Sequence, residues 1–365
     1  MVVRHRWATR LAAAAAVGAT LAAAGPLSSL PAGAAPTGTA GTSGTGGMQA
    51  GYRQTNLVSD VPGLAAMTDG DVKNPWGITF GPQTPLWVSN NGTSTSTLYA
   101  GGNASAPISA VPLIVGTPSM PTGIVFNPTK SFVLPNGMAS TFIFATMSGH
   151  IAGWAVSNPP PTHTTTVVSV PGAQFTGLGI AQTAAGPRLY AADETGGVVR
   201  VYNGHFKPVG TIVDRHRPTG LQPYDATVLG NRLYVTYEPP GAPTSSIKGA
   251  IDVYTLHGTL IRRLVTGGPL DSPWGLAIAP SNWGRFSGDL LVGNEESGRI
   301  TAFRLGSGRF EGTVRTPSGA PIINSGLWGL KFGNGVIGTP RTLIIAAGLD
   351  DYAHGLVAAI RPVSG

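Results

Sequence analysis

The chain has 365 residues, 42% of them hydrophobic and only 11% charged, with 53 glycines, 31 prolines and no cysteine. Without cysteine there is neither a disulfide framework nor thiolate chemistry, so a large apolar core must stabilise the fold. The formal charge of +7 falls to +4 once Arg4, Arg6 and Arg10 are set aside, and no Lys/Arg run or basic–aromatic stripe points to nucleic acid as a partner.

Those three arginines open the chain as a basic segment and precede an Ala-rich apolar stretch from Leu11 to about Ala24. Ala32-Gly-Ala34 then offers an A-x-A cleavage site, so residues 1–34 read as a secretory signal peptide rather than a committed membrane span. A secreted or extracellular location follows, with retention at the cell envelope as its variant. Residues 35–50 are rich in Gly, Thr, Ser and Ala and read as a flexible leader. Residues 51–365 are expected to form one domain.

Within that domain a Gly-containing turn into an apolar strand recurs about every fifty residues. The six copies are Asn74-Pro-Trp-Gly-Ile-Thr-Phe80, Met120-Pro-Thr-Gly-Ile-Val-Phe126, Phe175-Thr-Gly-Leu-Gly-Ile-Ala181, Leu221-Gln-Pro-Tyr-Asp-Ala-Thr-Val228, Ser272-Pro-Trp-Gly-Leu-Ala-Ile278 and Gly326-Leu-Trp-Gly-Leu-Lys-Phe332. The fourth is the loosest, with Asp225 where the others have Gly or an apolar residue. Second strands such as Leu86–Asn91, Leu189–Glu194, Leu233–Glu238 and Leu290–Glu295 follow, then partners with period-2 alternation. A fourth segment closes most units. The pattern predicts an all-β, six-bladed β-propeller of four-stranded antiparallel blades. The sixth unit has no room for an outer strand, and Tyr52-Arg-Gln-Thr-Asn-Leu-Val58 is expected to supply it, closing the ring as a monomer.

In such a ring the loops that enter the inner strands share a top face with the turns after the second strands. Most of the 16 acids fall there, Asp252, Asp289 and Glu311 being the exceptions, while Arg188, Arg232, Arg304 and Arg341 among others map to the bottom. The expected molecule is acidic above and more basic below. That suits a cation or polyol on top, and an anionic cell-wall polymer or an extracellular protein as partner.

Two constellations could carry chemistry. Asn90, Asp193 and Asn294 hold the same repeat position in blades one, three and five, and with Asn74 and Asp225 they could converge on the channel mouth as oxygen ligands for calcium. Equally, Asn and Asp at these places stabilise turns. Trp76, Trp274 and Trp328, in neighbouring blades, either form an aromatic platform for a sugar or lipid ring or fill the space between blades. Gly333-Asn-Gly-Val-Ile-Gly338 and Ser245-Ser-Ile-Lys248 match phosphate-loop and serine–lysine patterns outside the helical context that either needs.

The stretches Gln54–Gly63, Asn74-Pro-Trp-Gly77, Leu189-Tyr-Ala-Ala-Asp193, Arg263–Ala277 and Gly326-Leu-Trp-Gly329 together resemble an uncharacterised bacterial family of secreted propellers, over about residues 52–360. Some members look as if they end in a surface-sorting tail. This chain stops at Gly365 without one, which favours free secretion or non-covalent retention. More remotely the Pro-x-Gly repeats are similar to NHL-type propellers and to the gluconolactonase/senescence-marker class, metal-dependent hydrolases. That class has a first-blade Glu ligand with no clear counterpart here. The leading expectation is a non-enzymatic binding or interaction module acting through its acidic top face. The alternative is a calcium-dependent hydrolase of lactones or esters, with Glu238 or Glu295 as base.

Overall fold

The computed structural model describes residues 50–103, 105–241 and 246–363. The expected signal peptide and all of the expected leader except Ala50 lie outside them. Among the described residues six sheets of four or five strands follow one another, with a single 3-10 turn at Gly284–Phe286 and no α-helix. None of them holds a helix long and apolar enough to cross a membrane.

The inner strands are Pro75–Thr79, Pro121–Phe126, Phe175–Thr183, Gln222–Leu229, Pro273–Ile278 and Leu327–Phe332, one per sequence repeat. In five blades the inner, second, third and outer strands pair antiparallel in chain order. The outer edge of the first blade is broken into Ser109–Ala110 and Val115–Gly116, both on Thr95–Ala100. The sixth blade takes its outer strand from the N-terminal side: Gly51–Ser59 runs antiparallel to His354–Val363 from Gly51 opposite Val363 to Ser59 opposite Leu356. Met67–Thr68 then adds in parallel outside it. The fold is therefore a six-bladed propeller closed by its first strand, and closure leaves no open edge at that seam.

Period-2 alternation distributes the core. Each strand sends alternate residues to its two faces, so apolar clusters form at the blade junctions. Trp87 stacks on Phe142, with Trp154 tilted against both, between blades one and two. Trp283 packs under Tyr52 between blades five and six, and the Tyr52 hydroxyl donates to its carbonyl at 3.0 Å. A seventh cluster belongs to no junction. It contains Trp76, Met147, Tyr224, Trp274 and Trp328, from five different blades.

Candidate functional site

Side chains from five blades meet only at the axis, and a repeated backbone irregularity sends them there. Each inner strand carries one extra residue against its second strand at the same point: Pro75 to Ile78, Pro121 to Ile124, Phe175 to Gly177, Pro223 to Asp225, Pro273 to Leu276 and Leu327 to Leu330. A bulge of this kind re-aims a side chain that a regular strand would point at a neighbouring blade. The re-aimed column is Trp76, Thr122, Thr176, Tyr224, Trp274 and Trp328. Trp76 and Trp328 stack with centroids 3.8 Å apart, and Trp274 and Tyr224 meet them edge-on at 5.9–6.3 Å. Blade three joins through its backbone, since the Trp274 indole donates to the Thr176 carbonyl at 2.9 Å. Trp76, Trp274 and Trp328 thus fill the channel rather than the junctions, and all three are buried. They form a plug.

A second column lies over the plug. At the end of the second strand in five blades, one residue returns its N–H to the carbonyl before the inner strand: Asn91 to Asn74, Met147 to Met120, Glu194 to Gln174, Glu295 to Ser272 and Gly348 to Gly326. Glu238, paired with Gln222, holds the same place in blade four. The column points inward. Met147 touches the plug, and Trp328 donates to Asn74 at 3.0 Å, whose amide in turn donates to Asn91.

Glu194, Glu238 and Glu295 bring carboxylates from three successive blades to this level, each only 2–3% exposed. Burial holds the Tyr224 phenol well above its ordinary pKa, and the charges of Glu238, Glu295, Glu194 and Glu296 add to the shift. Burial likewise raises Glu194, opposed by its hydrogen bond to Glu238 and reinforced by Asp193. The Oε2 of Glu194 is buried and makes no hydrogen bond. From the sixth blade, Tyr352 leans over the mouth and donates to Glu295, with its ring 6.0 Å from Trp328. It is carried there by Asp350, Asp351 and Tyr352 itself, all at φ of 50–70°. Three successive non-glycine residues in the left-handed region mark a strained turn, of the kind that clusters at functional sites.

The five expected calcium ligands do not assemble. Asn90, Asp193 and Asn294 lie one residue before the inward column, and their side chains serve their own turns. Asn90 donates to Thr95 and Thr97, and Asn294 accepts from the Asp271 amide while donating to Val292, Arg299 and Thr301. Asp193 pairs with Arg200 at 2.7 Å and accepts from the Gln174 and Gly196 amides. Asn74 is bonded to Trp328, and Asp225 sits one residue past Tyr224 on the far side of the plug. Turn hydrogen bonds account for Asp193, Asn294 and the amide nitrogen of Asn90, whose Oδ1 is buried without a hydrogen bond, and the plug separates Asp225 from Asn74. Of the two candidate bases, Glu238 and Glu295, both are at the mouth. Glu194 was not singled out from the sequence, although acids in one column of three consecutive repeats mark it.

No protein-family model matches the chain. It is 36% identical over 329 residues to uncharacterized protein R648 of Acanthamoeba polyphaga mimivirus, covering 83% of this chain and 78% of the relative. Uncharacterized protein L690 of the same virus is 31% identical, with 85% of each chain covered. These relatives are viral, whereas the sequence resemblance pointed to bacterial proteins. What the two share is an uncharacterised family, and the relatives lend nothing to secretion. Among solved structures, virginiamycin B lyase from Staphylococcus aureus superposes with a TM-score of 0.49 at 11% identity, over 86% of this chain and 100% of the other. A streptogramin B lyase gives 0.48 at 13%, over 87% and 99%.

Proposed function

We propose, on the premise that this chain belongs to the same family as the uncharacterised mimivirus proteins R648 and L690, that it is a binding propeller whose acidic channel mouth takes a positively charged group of a partner. One observation carries this reading: the buried Glu194 carboxyl touches Glu238 and leaves an oxygen without a hydrogen bond. Two carboxyls in contact must share a proton or take a cation between them, because an uncompensated buried pair of charges is costly. An ammonium or guanidinium suits the place better than a metal. Among the described residues no three His, Cys, Asp or Glu side chains have metal-holding geometry, and the plug beneath offers aromatic groups. The acidic top face would steer such a partner in, and the basic N-terminal stretch followed by apolar residues supports a meeting outside the cell.

Calorimetric titration at pH 8 tests this with two probes, an end-blocked Gly-Lys-Gly peptide and calcium chloride. The peptide is expected to bind one to one, and Glu194→Gln to weaken it about tenfold, equal to about 1.4 kcal/mol. Calcium bound tightly in place of the peptide, and lost in the same variant, would favour the calcium-dependent hydrolase of lactones or esters, with Glu238 or Glu295 as base. Peptide binding that ignores Glu194→Gln would sink the proposal.

A further inference from the structure

Below the plug the channel widens into a cavity of about 390 Å³, within the usual range for small-molecule sites. Its walls are the lower halves of the inner strands. The last column, Phe80, Phe126, Ile180, Val228, Ile278 and Phe332, is apolar in every blade and only half-buried, so it makes a greasy collar at the bottom mouth. One step above it the column reads Thr79, Val125, Gly179, Thr227, Ala277 and Lys331. Lys331 is the only cation among the lining residues, and Asp225 is the only carboxylate.

These two charges are not equally satisfied. Asp225 accepts from the Thr227 hydroxyl and from the amides of Ala226 and Leu178, and it packs over Gly177. The Lys331 ammonium makes no hydrogen bond and no ion pair among the described residues, while the backbone of Lys331 pairs with Ile344. Its ammonium lies 5.2 Å from the centroid of the Phe80 ring. The residue as a whole is half-buried, and desolvation pulls its pKa below the usual lysine range. An amine without a counter-charge, set beside an apolar collar, is half of an amphipathic recognition site.

We infer that this cavity is a second binding site, opposite the acidic mouth, for a small amphipathic monocarboxylate whose carboxylate meets Lys331 while its hydrocarbon body fills the collar. An anion is favoured over a cation because the one acid present is already hydrogen-bonded and the one base is not. A slender hydrocarbon chain can enter past the collar, whereas the aromatic plug closes the other end of the channel.

Octanoate is the probe, and octanol, equally apolar but uncharged, is the control. Calorimetry on the full chain is expected to show one octanoate per chain, bound at least tenfold tighter than octanol. Lys331→Met should abolish that preference and Lys331→Arg should keep it. Lys331→Met is expected to fold, since it replaces a desolvated charge with an apolar side chain of similar length. A second readout needs no variant: reductive methylation of Lys331, followed by mass spectrometry, should slow when octanoate is present. Equal affinity for octanoate and octanol, an undiminished preference in Lys331→Met, or unprotected methylation would each overturn the inference.

Discussion

Replacing Asp225 by asparagine is expected to stabilise the protein at pH 8 by about 2 kcal/mol and to flatten its stability between pH 4 and pH 7. Asp225 occupies the one place in its column where the other blades have Gly77, Gly123, Gly177, Gly275 and Gly329. Its side chain is therefore pressed against blade three, and the residue is 3% exposed. Burial pushes its carboxyl up to about 7, against the opposing pull of the Thr227 hydroxyl and the Ala226 and Leu178 amides. Between the unfolded value near 3.9 and the folded value, the native state keeps a proton that the unfolded chain releases. Stability must then fall as pH rises through that window, and above it the native state carries the full penalty of a buried charge. Three units correspond to about 4 kcal/mol as an upper bound, of which an amide recovers a part, because it still accepts a hydrogen bond on one side. Urea unfolding of both proteins at pH 5 and pH 8 reads this directly. A wild-type profile that is flat, or an asparagine variant weaker at pH 8, would mean that the carboxyl is better solvated than its packing implies.

The ring was legible because its signals are local. A Gly turn, an apolar strand and a second alternating strand repeat in the sequence, and the missing outer strand of the last unit left Tyr52–Val58 to fill it. The structure extends that strand only to Gly51–Ser59. The outer edge of the first blade was less legible. A fourth segment closes most units in sequence, but in the first blade it is split, and Val111 and Leu113 fall between two short pieces.

The inward column lies one residue beyond the expected ligand ring, for a physical reason. Side chains alternate, so an error of one position turns a whole column from the channel to the turn. Asn90, Asp193 and Asn294 look like a ligand ring in sequence, but the inward residues are the next ones, Asn91, Glu194 and Glu295. Likewise, strand periodicity alone sends Trp76, Trp274 and Trp328 into the junctions. The bulge that turns them to the axis has no residue signature of its own beyond the glycine that follows. That glycine reads as a turn former in sequence, and its reason is visible only when the neighbouring blade is in place.

Gly329→Ala should accordingly lower stability by about 3 kcal/mol, the upper range for forcing a methyl group into a filled core. Gly329 does not have a left-handed φ, so the demand is for space rather than for backbone freedom. A Cβ there would stand 2.7 Å from the Trp76 carbonyl oxygen and 2.8 Å from the Ile78 side chain of the next blade. The corresponding contact of Gly123 is 2.5 Å from the Leu178 amide. Inner strands therefore approach each other through their glycines, and this closeness lets Trp76 lie flat on Trp328. An added methyl must push blades one and six apart, which separates the stacked pair. Thermal unfolding should show a loss of roughly 5–10 °C, and tryptophan fluorescence should change even at temperatures where the fold persists. Gly306→Ala is the control, because nothing lies within 4 Å of a Cβ at that position, and it should melt like the wild type. A Gly329→Ala protein that also melted like the wild type would show that the inner ring has slack, and the plug would then be free to open.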